Sequence, residues 1–89
     1  MHKVYVLENA HDKSWYIGQT NDLERRLAQH NSGTGGKTTK DKPGPWKLIY
    51  AEAYIDKRDA LGREKFLKGG SGRAYLKKQL THHLSSQSV

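Results

Sequence analysis

Two tyrosines, an arginine, a histidine and a glutamate are the residues of this chain whose types and spacing suit chemistry on a phosphate ester. They are Tyr5, Tyr16, Arg26, His30 and Glu64. A phenol can help to activate water, a guanidinium neutralises phosphate charge, an imidazole transfers protons, and a carboxylate binds a hard cation. Together these groups are the parts of metal-assisted phosphodiester hydrolysis, provided that the fold brings them to one place.

Four of these residues also have a purely structural interpretation. Tyr5 and Tyr16 suit strands, in which a tyrosine packs its ring and keeps its hydroxyl near water. Arg26 lies three residues after Leu23, and His30 lies four residues after Arg26, so both are expected at the rim of an apolar helix face. Taken singly, each residue therefore fits packing as well as catalysis.

Glu64 is placed where packing alone would not put a carboxylate. It lies four residues after Ala60 and three before Leu67, on the helix face that should be buried. A carboxylate on such a face is normally ion-paired or bound to a metal. Glu64 is therefore either a metal ligand or the partner of Arg26 or Lys68, and spacing alone leaves both open.

A β-hairpin is expected to position the two tyrosines. Residues 3–8 and 15–20 alternate apolar and polar side chains, and the stretch between them is rich in turn-forming residues. If the turn is centred at residues 10–11, Tyr5 lies opposite Tyr16 and both project from one face.

The first helix is expected to carry the arginine and the histidine. Thr20 or Asn21 is the predicted cap, Asn21 and Glu24 resemble a capping box, and Gly33 is the predicted stop. The buried stripe of this helix is formed by Leu23 and Leu27. Residues 32–45 combine several glycines and prolines with Lys37, Lys40 and Lys42, which predicts a mobile basic loop.

The second half of the chain predicts a strand and two further helices. Residues 46–54 form the clearest strand pattern, with Trp46, Leu48 and Tyr50 alternating against Lys47, Ile49 and Ala51. Asp56 is expected to cap a helix to about Lys68, in which Gly62 predicts a close packing contact. The glycine-rich stretch 69–72 is expected to break the chain before a last helix over about 73–84, and residues 85–89 are expected to form a frayed tail. The pattern predicts a single α+β domain over residues 1–84, with a small three-stranded, mainly antiparallel sheet flanked by helices.

Composition and charge indicate the class of partner. The 89 residues include 16 lysines and arginines against 9 acidic residues, for a formal net charge of +7. A surplus of this size favours a polyanion, and nucleic acid is the first candidate. The chain has no cysteine, which excludes disulfides and cysteine-based zinc sites. No apolar run approaches the roughly 20 residues of a membrane span, so we expect a small cytoplasmic domain.

These segments together resemble a GIY-YIG nuclease domain of the small stand-alone bacterial kind. Val4-Tyr5-Val6 stands at the first motif, and Tyr16-Ile17-Gly18 reproduces the second. Residues 20–31 are similar to the family's arginine-containing helix. Residues 63–68 resemble its glutamate-bearing helix, followed by a Gly-Arg-x-x-Leu-Lys stretch at 72–77. The resemblance extends over roughly residues 3–78.

The resemblance implies a role for each candidate residue. Tyr5 would help to activate the attacking water and Tyr16 would position water or phosphate. Arg26 would neutralise the scissile phosphate, with His30 beside it as a supporting or proton-transfer group. Glu64 would hold one divalent metal ion, Mg²⁺ or else Mn²⁺. The implied substrate is DNA more than RNA, in repair or recombination, with a protein partner or a second copy of the chain as a further option.

Two departures from the family pattern leave a second hypothesis open. The first motif is Val-Tyr-Val, and the late asparagine that many members carry beyond the glutamate helix is missing, since the asparagines of this chain stop at Asn31. The leading hypothesis is a metal-dependent endonuclease. The alternative is a non-catalytic nucleic-acid-binding module on the same fold, in which phosphates are bound by Lys37, Lys40, Arg73, Lys77 and Lys78.

Overall fold

The computed structural model describes residues 1–34, 42 and 44–86 of the chain. Their elements, in chain order, are β1 (His2–Asn9), β2 (Trp15–Thr20), α1 (Leu23–Ser32), β3 (Trp46–Tyr54), α2 (Lys57–Lys68), α3 (Gly70–Gln79) and α4 (Thr81–Ser86). Within these ranges no helix is long and apolar enough to cross a membrane.

The three strands form one antiparallel sheet in the order β2-β1-β3, with β1 at the centre. Helix α1 packs against one face, where the buried cluster contains Tyr5, Leu7 and Trp46. Helices α2 and α3 cover the other face, where β1 and β2 contribute Val4, Val6 and Ile17 to a cluster with Ala60, Leu67 and Leu76. The predicted α+β fold, a three-stranded antiparallel sheet flanked by helices, is confirmed.

The hairpin register differs from the expected one by two residues. Tyr5 pairs with Gly18, and Tyr16 pairs with Leu7, so the two tyrosines share a face without lying opposite each other. The turn is centred one residue later than expected, between residues 11 and 12. Within it, the side chain of Asn9 accepts hydrogen bonds from the backbone of His11 and Asp12. Local side-chain bonds of this kind stabilise a turn in a way that strand alternation does not reveal.

Strand β3 changes the face of its side chains partway along. Val6 pairs with Tyr50 while Leu7 pairs with Leu48, so Ile49 is an extra residue in the ladder. Such a bulge interrupts the period of two. Trp46 and Leu48 therefore pack on the α1 face, while Ile49 and Tyr50 both pack on the α2 face. The prediction that Tyr50 lies on the same face as Trp46 and Leu48 is therefore wrong.

Helix ends follow side-chain chemistry, with one change from the expected cap. The cap of α1 is Asp22, whose side chain accepts from the backbone N–H of Arg25, and not Thr20 or Asn21. Thr20 contacts the cap residue itself, because its hydroxyl oxygen accepts a hydrogen bond from the backbone N–H of Asp22. Gly33 ends α1 in the left-handed region at φ 83°, and Asp56 caps α2, both as predicted.

The glycine-rich stretch after α2 is the start of a helix instead of a break. Helix α3 begins at Gly70 and ends at Gln79, and α4 follows separately, so the predicted single helix over 73–84 is wrong. A Cβ at Gly72 would lie 2.0 Å from the carbonyl oxygen of Phe66, which makes this the site of close helix contact. Among the described residues, nothing outside the adjoining backbone of α2 lies within 4 Å of a Cβ built at Gly62, so the close packing contact predicted there is not found. Residues 85–86 belong to α4, and the rest of the predicted tail lies outside the described residues.

Candidate active site

Tyr5 is buried on the central strand and reaches across its neighbour on the edge strand. Its side chain is 1% exposed. A Cβ at Gly18 would lie 2.5 Å from the hydroxyl oxygen of Tyr5 and 3.0 Å from Cε1 of Tyr16. The space that a side chain at position 18 would occupy is therefore taken by the phenol of Tyr5. Glycine is required here by close approach and not by backbone conformation.

The hydroxyl of Tyr5 meets the imidazole of His30. The phenol oxygen lies 2.8 Å from Nε2 of His30, and His30 is 2% exposed. His30 follows Arg26 by one helical turn on α1, so the helix presents both side chains to the same face of the sheet. The ring of Tyr16 lies 4.6 Å from the His30 ring, centroid to centroid, and closes the cluster on another side.

Arg26 places a positive charge beside both tyrosines. Its Nη1 donates to Oε1 of Gln29 at 3.1 Å, which holds the guanidinium along the helix. Burial works to lower the pKa of Arg26, but hydrogen bonds and charge interactions with Tyr5 and Tyr16 outweigh it, so this pKa is raised. The guanidinium therefore stays charged between the two phenols.

The ionisation of the buried pair is set mainly by desolvation. Burial raises the pKa of Tyr5 to about 12; Arg26 opposes the rise, while Tyr16 and Glu64 add to it. Burial lowers the pKa of His30 to about 4, and the charge of Arg26 lowers it further. At neutral pH Tyr5 is therefore a phenol and His30 a neutral imidazole. The phenol oxygen and Nε2 of His30 share one hydrogen bond, whose direction depends on the tautomer of the histidine.

Glu64 reaches the site from the opposite layer. It lies on α2, and its charge acts on the ionisation of Tyr5. Its Oε2 forms an ion pair with Nζ of Lys68 at 3.1 Å, one turn further along the helix. Of the two structural partners considered, the structure therefore selects Lys68 and not Arg26. The carboxylate is only partly buried, with 20% of its side chain exposed, so it remains accessible to a ligand.

The side chains around Glu64 fit a metal ion bound by one protein carboxylate. Within the described ranges, no three side chains of His, Cys, Asp or Glu gather in one place. Mg²⁺ commonly takes one or two carboxylates and fills its other positions with water and phosphate oxygen. A partly exposed carboxylate, whose charge acts on the ionisation of Tyr5, supplies hard oxygen atoms of that kind.

The five candidate site residues come together, whereas the candidate DNA-contact residues lie elsewhere. Arg73, Lys77 and Lys78 are exposed on α3. Arg73 and Lys77 line a cavity near the hairpin turn. Lys37 and Lys40 lie outside the described residues.

Two residues that position the site were given no positioning role in the sequence analysis. Gly18 leaves room for Tyr5, and the available signal was a glycine inside a strand pattern, which indicates close approach. Asn31 ties the end of α1 to the start of β3, since its Oδ1 accepts from the backbone N–H of Trp46 at 2.7 Å and its Nδ2 donates to the Trp46 carbonyl at 3.1 Å. No local pattern indicates the Asn31 contact, because the two segments are far apart in sequence.

Comparison with known proteins agrees with this arrangement. The profile of the GIY-YIG catalytic domain matches residues 1–79. A UPF0213 protein of Clostridium perfringens is 46% identical over 68 residues, covering 76% of this chain and 71% of that protein. A UPF0213 protein of Streptococcus pneumoniae is 51% identical over 65 residues, covering 73% of this chain and 64% of that protein.

A solved structure is similar over most of the chain. The solution NMR structure of the UPF0213 protein BH0048 from Bacillus halodurans has a TM-score of 0.53 and 41% sequence identity. The match covers 91% of this chain and 82% of that chain. Sequence profile, relatives and structure agree with the resemblance drawn from the motifs. The chain therefore belongs to the GIY-YIG family, among its small UPF0213-type members.

Proposed function

We propose that this domain is a divalent-metal-dependent endonuclease that hydrolyses phosphodiester bonds of DNA. One observation carries the proposal: a buried phenol, that of Tyr5, is hydrogen-bonded to a neutral imidazole and lies beside an arginine and a glutamate. A stable core does not need this arrangement, since each of these polar groups is costly to bury. The family membership supports a nuclease at the coarser level.

The proposed proton route runs from water through Tyr5 to His30. As the attacking water approaches phosphorus, the phenol oxygen takes a proton from it and passes its own proton to Nε2 of His30. Because the two pKa values, about 12 and about 4, are far apart, the proton rests on Tyr5 before substrate binds. Transfer becomes favourable only when positive charge near the oxygen rises and water begins to attack.

Arg26 and Tyr16 are proposed to bind the phosphate under attack. The guanidinium is charged and points to both phenols, and a phosphate oxygen can take the place of a phenol as its acceptor. Charge that develops on the phosphate oxygens would then be neutralised by Arg26, with the hydroxyl of Tyr16 as an additional donor. One such donor commonly changes the rate by about 10²–10³-fold.

Glu64 is the residue proposed to hold the metal ion. A bound Mg²⁺ or Mn²⁺ supplies Lewis-acid stabilisation of the phosphate and lowers the pKa of nearby oxygen acids. Before binding, the carboxylate is paired with Lys68 at 3.1 Å, and Lys68 must give up this contact. The lysine then becomes available to a DNA phosphate.

The same proposal includes a location, a biological process and a set of phosphate-contacting residues. We place the activity in the cytoplasm and in repair or recombination of DNA, with Lys37, Lys40, Arg73, Lys77 and Lys78 as phosphate contacts. The net charge of +7 supports a polyanionic substrate.

The direct test is a cleavage assay with paired tyrosine variants. Purified protein is incubated with flapped, branched and single-stranded DNA plus Mg²⁺ or Mn²⁺. We expect Tyr5→Phe to lower the cleavage rate by at least about 10²-fold. Tyr75→Phe is the matched control, because Tyr75 is exposed and lies on α3. Equal rates for wild type and Tyr5→Phe would show that the activity comes from a contaminant.

A non-catalytic nucleic-acid-binding module is the second candidate. It is favoured by the missing late asparagine and by the pairing of Glu64 with Lys68, which neutralises the proposed metal ligand. Calorimetry with Mg²⁺ in the presence of uncleavable DNA distinguishes the two functions. Binding of Mg²⁺ that disappears in Glu64→Gln supports the enzyme, and no Glu64-dependent heat supports the module.

A further inference from the structure

A cavity near the hairpin turn lies apart from the proposed active site. It has a volume of about 350 Å³, within the range of roughly 300–1,000 Å³ that is typical of small-molecule sites. Trp15 and Leu84 form its apolar part, Glu8 lies at its base, and its basic residues are Lys13, Arg73 and Lys77. None of these residues belongs to the cluster around Tyr5.

The three basic residues come from two parts of the fold, the hairpin turn and α3. Lys13 lies in the hairpin turn, whereas Arg73 and Lys77 lie one turn apart on α3. Within the described ranges none of the three forms an ion pair. Lys13 has φ 63°, a conformation that is uncommon for residues other than glycine. Three unpaired cations around one cavity repel one another, and an anion bound among them relieves that repulsion.

The indole of Trp15 is held in a fixed orientation at the cavity. Its Nε1 donates to Oε2 of Glu8 at 2.9 Å, and Nε2 of His83 lies 3.3 Å from the same carboxylate oxygen. Glu8 is 3% exposed, so this contact is made inside the protein. The indole N–H is therefore already hydrogen-bonded within the protein, and the carbon atoms of the ring face the cavity. A rigid aromatic surface beside cations suits a ligand that is both flat and anionic.

The cavity and the proposed reaction centre are both lined by residues of strand β2. Trp15 begins strand β2, and Gly18, which underlies Tyr5, is three residues further along the same strand. At roughly 3.3 Å per residue, the separation along the strand is about 10 Å. This equals about three nucleotide steps of a B-form strand, at roughly 3.4 Å each. Trp15 packs on the α2–α3 face of the sheet and Tyr5 on the α1 face, so a nucleic-acid strand that reaches both places must pass around the edge strand β2.

We propose that this cavity binds one unpaired nucleotide of the DNA substrate, a few positions from the scissile phosphate. The base would stack on Trp15, and its phosphate would be bound by Lys13, Arg73 and Lys77. The inference rests on the proposed function only in requiring that the domain bind DNA. The inference adds that the domain recognises the extruded base itself.

The test measures binding without cleavage. Fluorescence anisotropy in EDTA compares a fully paired duplex, the same duplex with one unpaired nucleotide, and that duplex with the unpaired nucleotide made abasic. We expect wild type to bind the unpaired base about 5- to 50-fold more tightly than its abasic version, as base stacking on an aromatic ring allows. Equal affinity for these two duplexes would overturn the proposal.

Neighbouring lysines on α3 provide the matched variants. Lys77 lines the cavity and Lys78 does not, although both are exposed and carry the same charge. Lys77→Ala should weaken binding of the two duplexes that carry an unpaired nucleotide, with or without its base, more than binding of the paired duplex, whereas Lys78→Ala should weaken binding of all three duplexes by the same factor. An equal effect of Lys77→Ala on all three duplexes would contradict the proposed site. Failure of wild type to bind any duplex would instead contradict the proposed function, so the two failures are distinguishable.

A spectroscopic readout tests the stacking step separately. In a Trp46→Phe background, Trp15 is the remaining tryptophan, so its fluorescence reports the cavity alone. We expect the unpaired base to quench this fluorescence and the abasic duplex to leave it nearly unchanged. Binding of the unpaired base with no quenching beyond that of the abasic duplex would show that the base does not contact Trp15.

Discussion

The hydroxyl of Tyr5 is held by neighbours on two other elements. On helix α1, His30 is hydrogen-bonded to this hydroxyl and Arg26 places a positive charge beside it, while Gly18 on the edge strand leaves room for the ring. Each contact is ordinary, but together they fix a buried phenol at one position and in one protonation state. A group prepared in this way loses little entropy when substrate binds.

Gly18→Ala is predicted to damage the site by displacing Tyr5. The new Cβ would lie 2.5 Å from the Tyr5 hydroxyl and 2.7 Å from Cζ of the same ring. Because the ring is packed in the core, it cannot swing away freely. We expect a loss of about 1–3 kcal/mol in the free energy of unfolding, which is typical of overpacking, and at least a tenfold (~10-fold) fall in cleavage rate. Denaturant unfolding and the cleavage assay measure the two effects, and an unchanged cleavage rate would contradict the role given to Gly18.

His30 is predicted to make the fold less stable in mild acid. Its pKa is about 4 in the folded protein and near 6.5 when the chain is unfolded. The unfolded state therefore binds more protons between these values, so stability is complete above about pH 6.5 and falls as the pH drops toward 4. From pH 7 to 5 we expect wild type to lose on the order of 1 kcal/mol more than His30→Gln.

Urea unfolding at the two pH values measures this difference. His82→Gln is the control, since His82 is exposed on α4 and should leave the wild-type loss unchanged. An equal loss in wild type and His30→Gln would show that burial of the imidazole does not govern the pH response.

The sequence indicated which residues form the site, but not which contacts they make. Residue types and motif order indicated Tyr5, Tyr16, Arg26 and Glu64 because a buried-face carboxylate and paired phenols are unusual. The register of the hairpin was wrong by two residues, since it depends on Asn9 bonds within the turn. The choice of Lys68 as the partner of Glu64 depends on side-chain rotamers, which spacing does not determine.

At the scale of elements, long periodic segments were predictable and their junctions were not. Strand β3 and helix α2 begin and end as the pattern predicted, because alternation and the Asp56 cap are local signals. The bulge at Ile49 depends on pairing with β1, which lies far away in sequence. The start of α3 at Gly70 runs against glycine's low helix propensity. Close packing of α2 against Gly72 favours the helix there in spite of that propensity.

Two glycines in the helical half are predicted to respond to alanine in opposite directions. A Cβ at Gly72 would lie 2.0 Å from the Phe66 carbonyl oxygen and 2.5 Å from Cα of Leu67, and backbone atoms cannot move aside easily. We expect Gly72→Ala to lower the free energy of unfolding by at least about 2 kcal/mol. Gly62 is exposed inside α2 with open space at its Cβ. Gly62→Ala should raise the free energy of unfolding by about 0.5–1 kcal/mol.

Thermal and urea unfolding of both variants test this contrast. Because each change adds the same methyl group to a helical glycine, each variant serves as the control for the other. A stability of Gly72→Ala equal to that of wild type would contradict the packing of α3 against the end of α2.

At the scale of the whole molecule, Arg26 belongs to the site, but most of the positive charge lies away from it. The net charge is +7, and most basic residues lie outside the cluster around Tyr5. Several are paired within the fold: Arg63 with Glu52, Lys68 with Glu64 and Lys42 with Asp12. Within the described part of the chain, the cations outside these ion pairs, Arg73 and Lys77 among them, provide the surface that can attract a phosphate backbone.

DNA affinity is predicted to fall steeply with salt. If four or more phosphates are contacted, raising the salt from 50 to 200 mM should weaken binding by about 10²-fold or more, because counterions are released on association. Anisotropy titrations over this range give the slope of affinity against salt. Lys78→Ala removes one proposed phosphate contact and should therefore reduce the magnitude of this slope by about one. A slope near zero would contradict a phosphate-binding surface and would favour an uncharged partner.

The central claim is that the cluster around Tyr5 cuts DNA with a metal held by Glu64, and one rate measurement tests it most directly. Single-turnover cleavage of branched DNA in Mg²⁺ is compared for wild type, Glu64→Gln and Glu24→Gln. Glu24 is exposed in the first turn of α1, so its variant makes the same change of charge away from the cluster. The account predicts a loss of at least about 10²-fold in Glu64→Gln and a nearly unchanged rate in Glu24→Gln. Equal rates in all three proteins, or no metal-dependent cleavage by wild type, would contradict it.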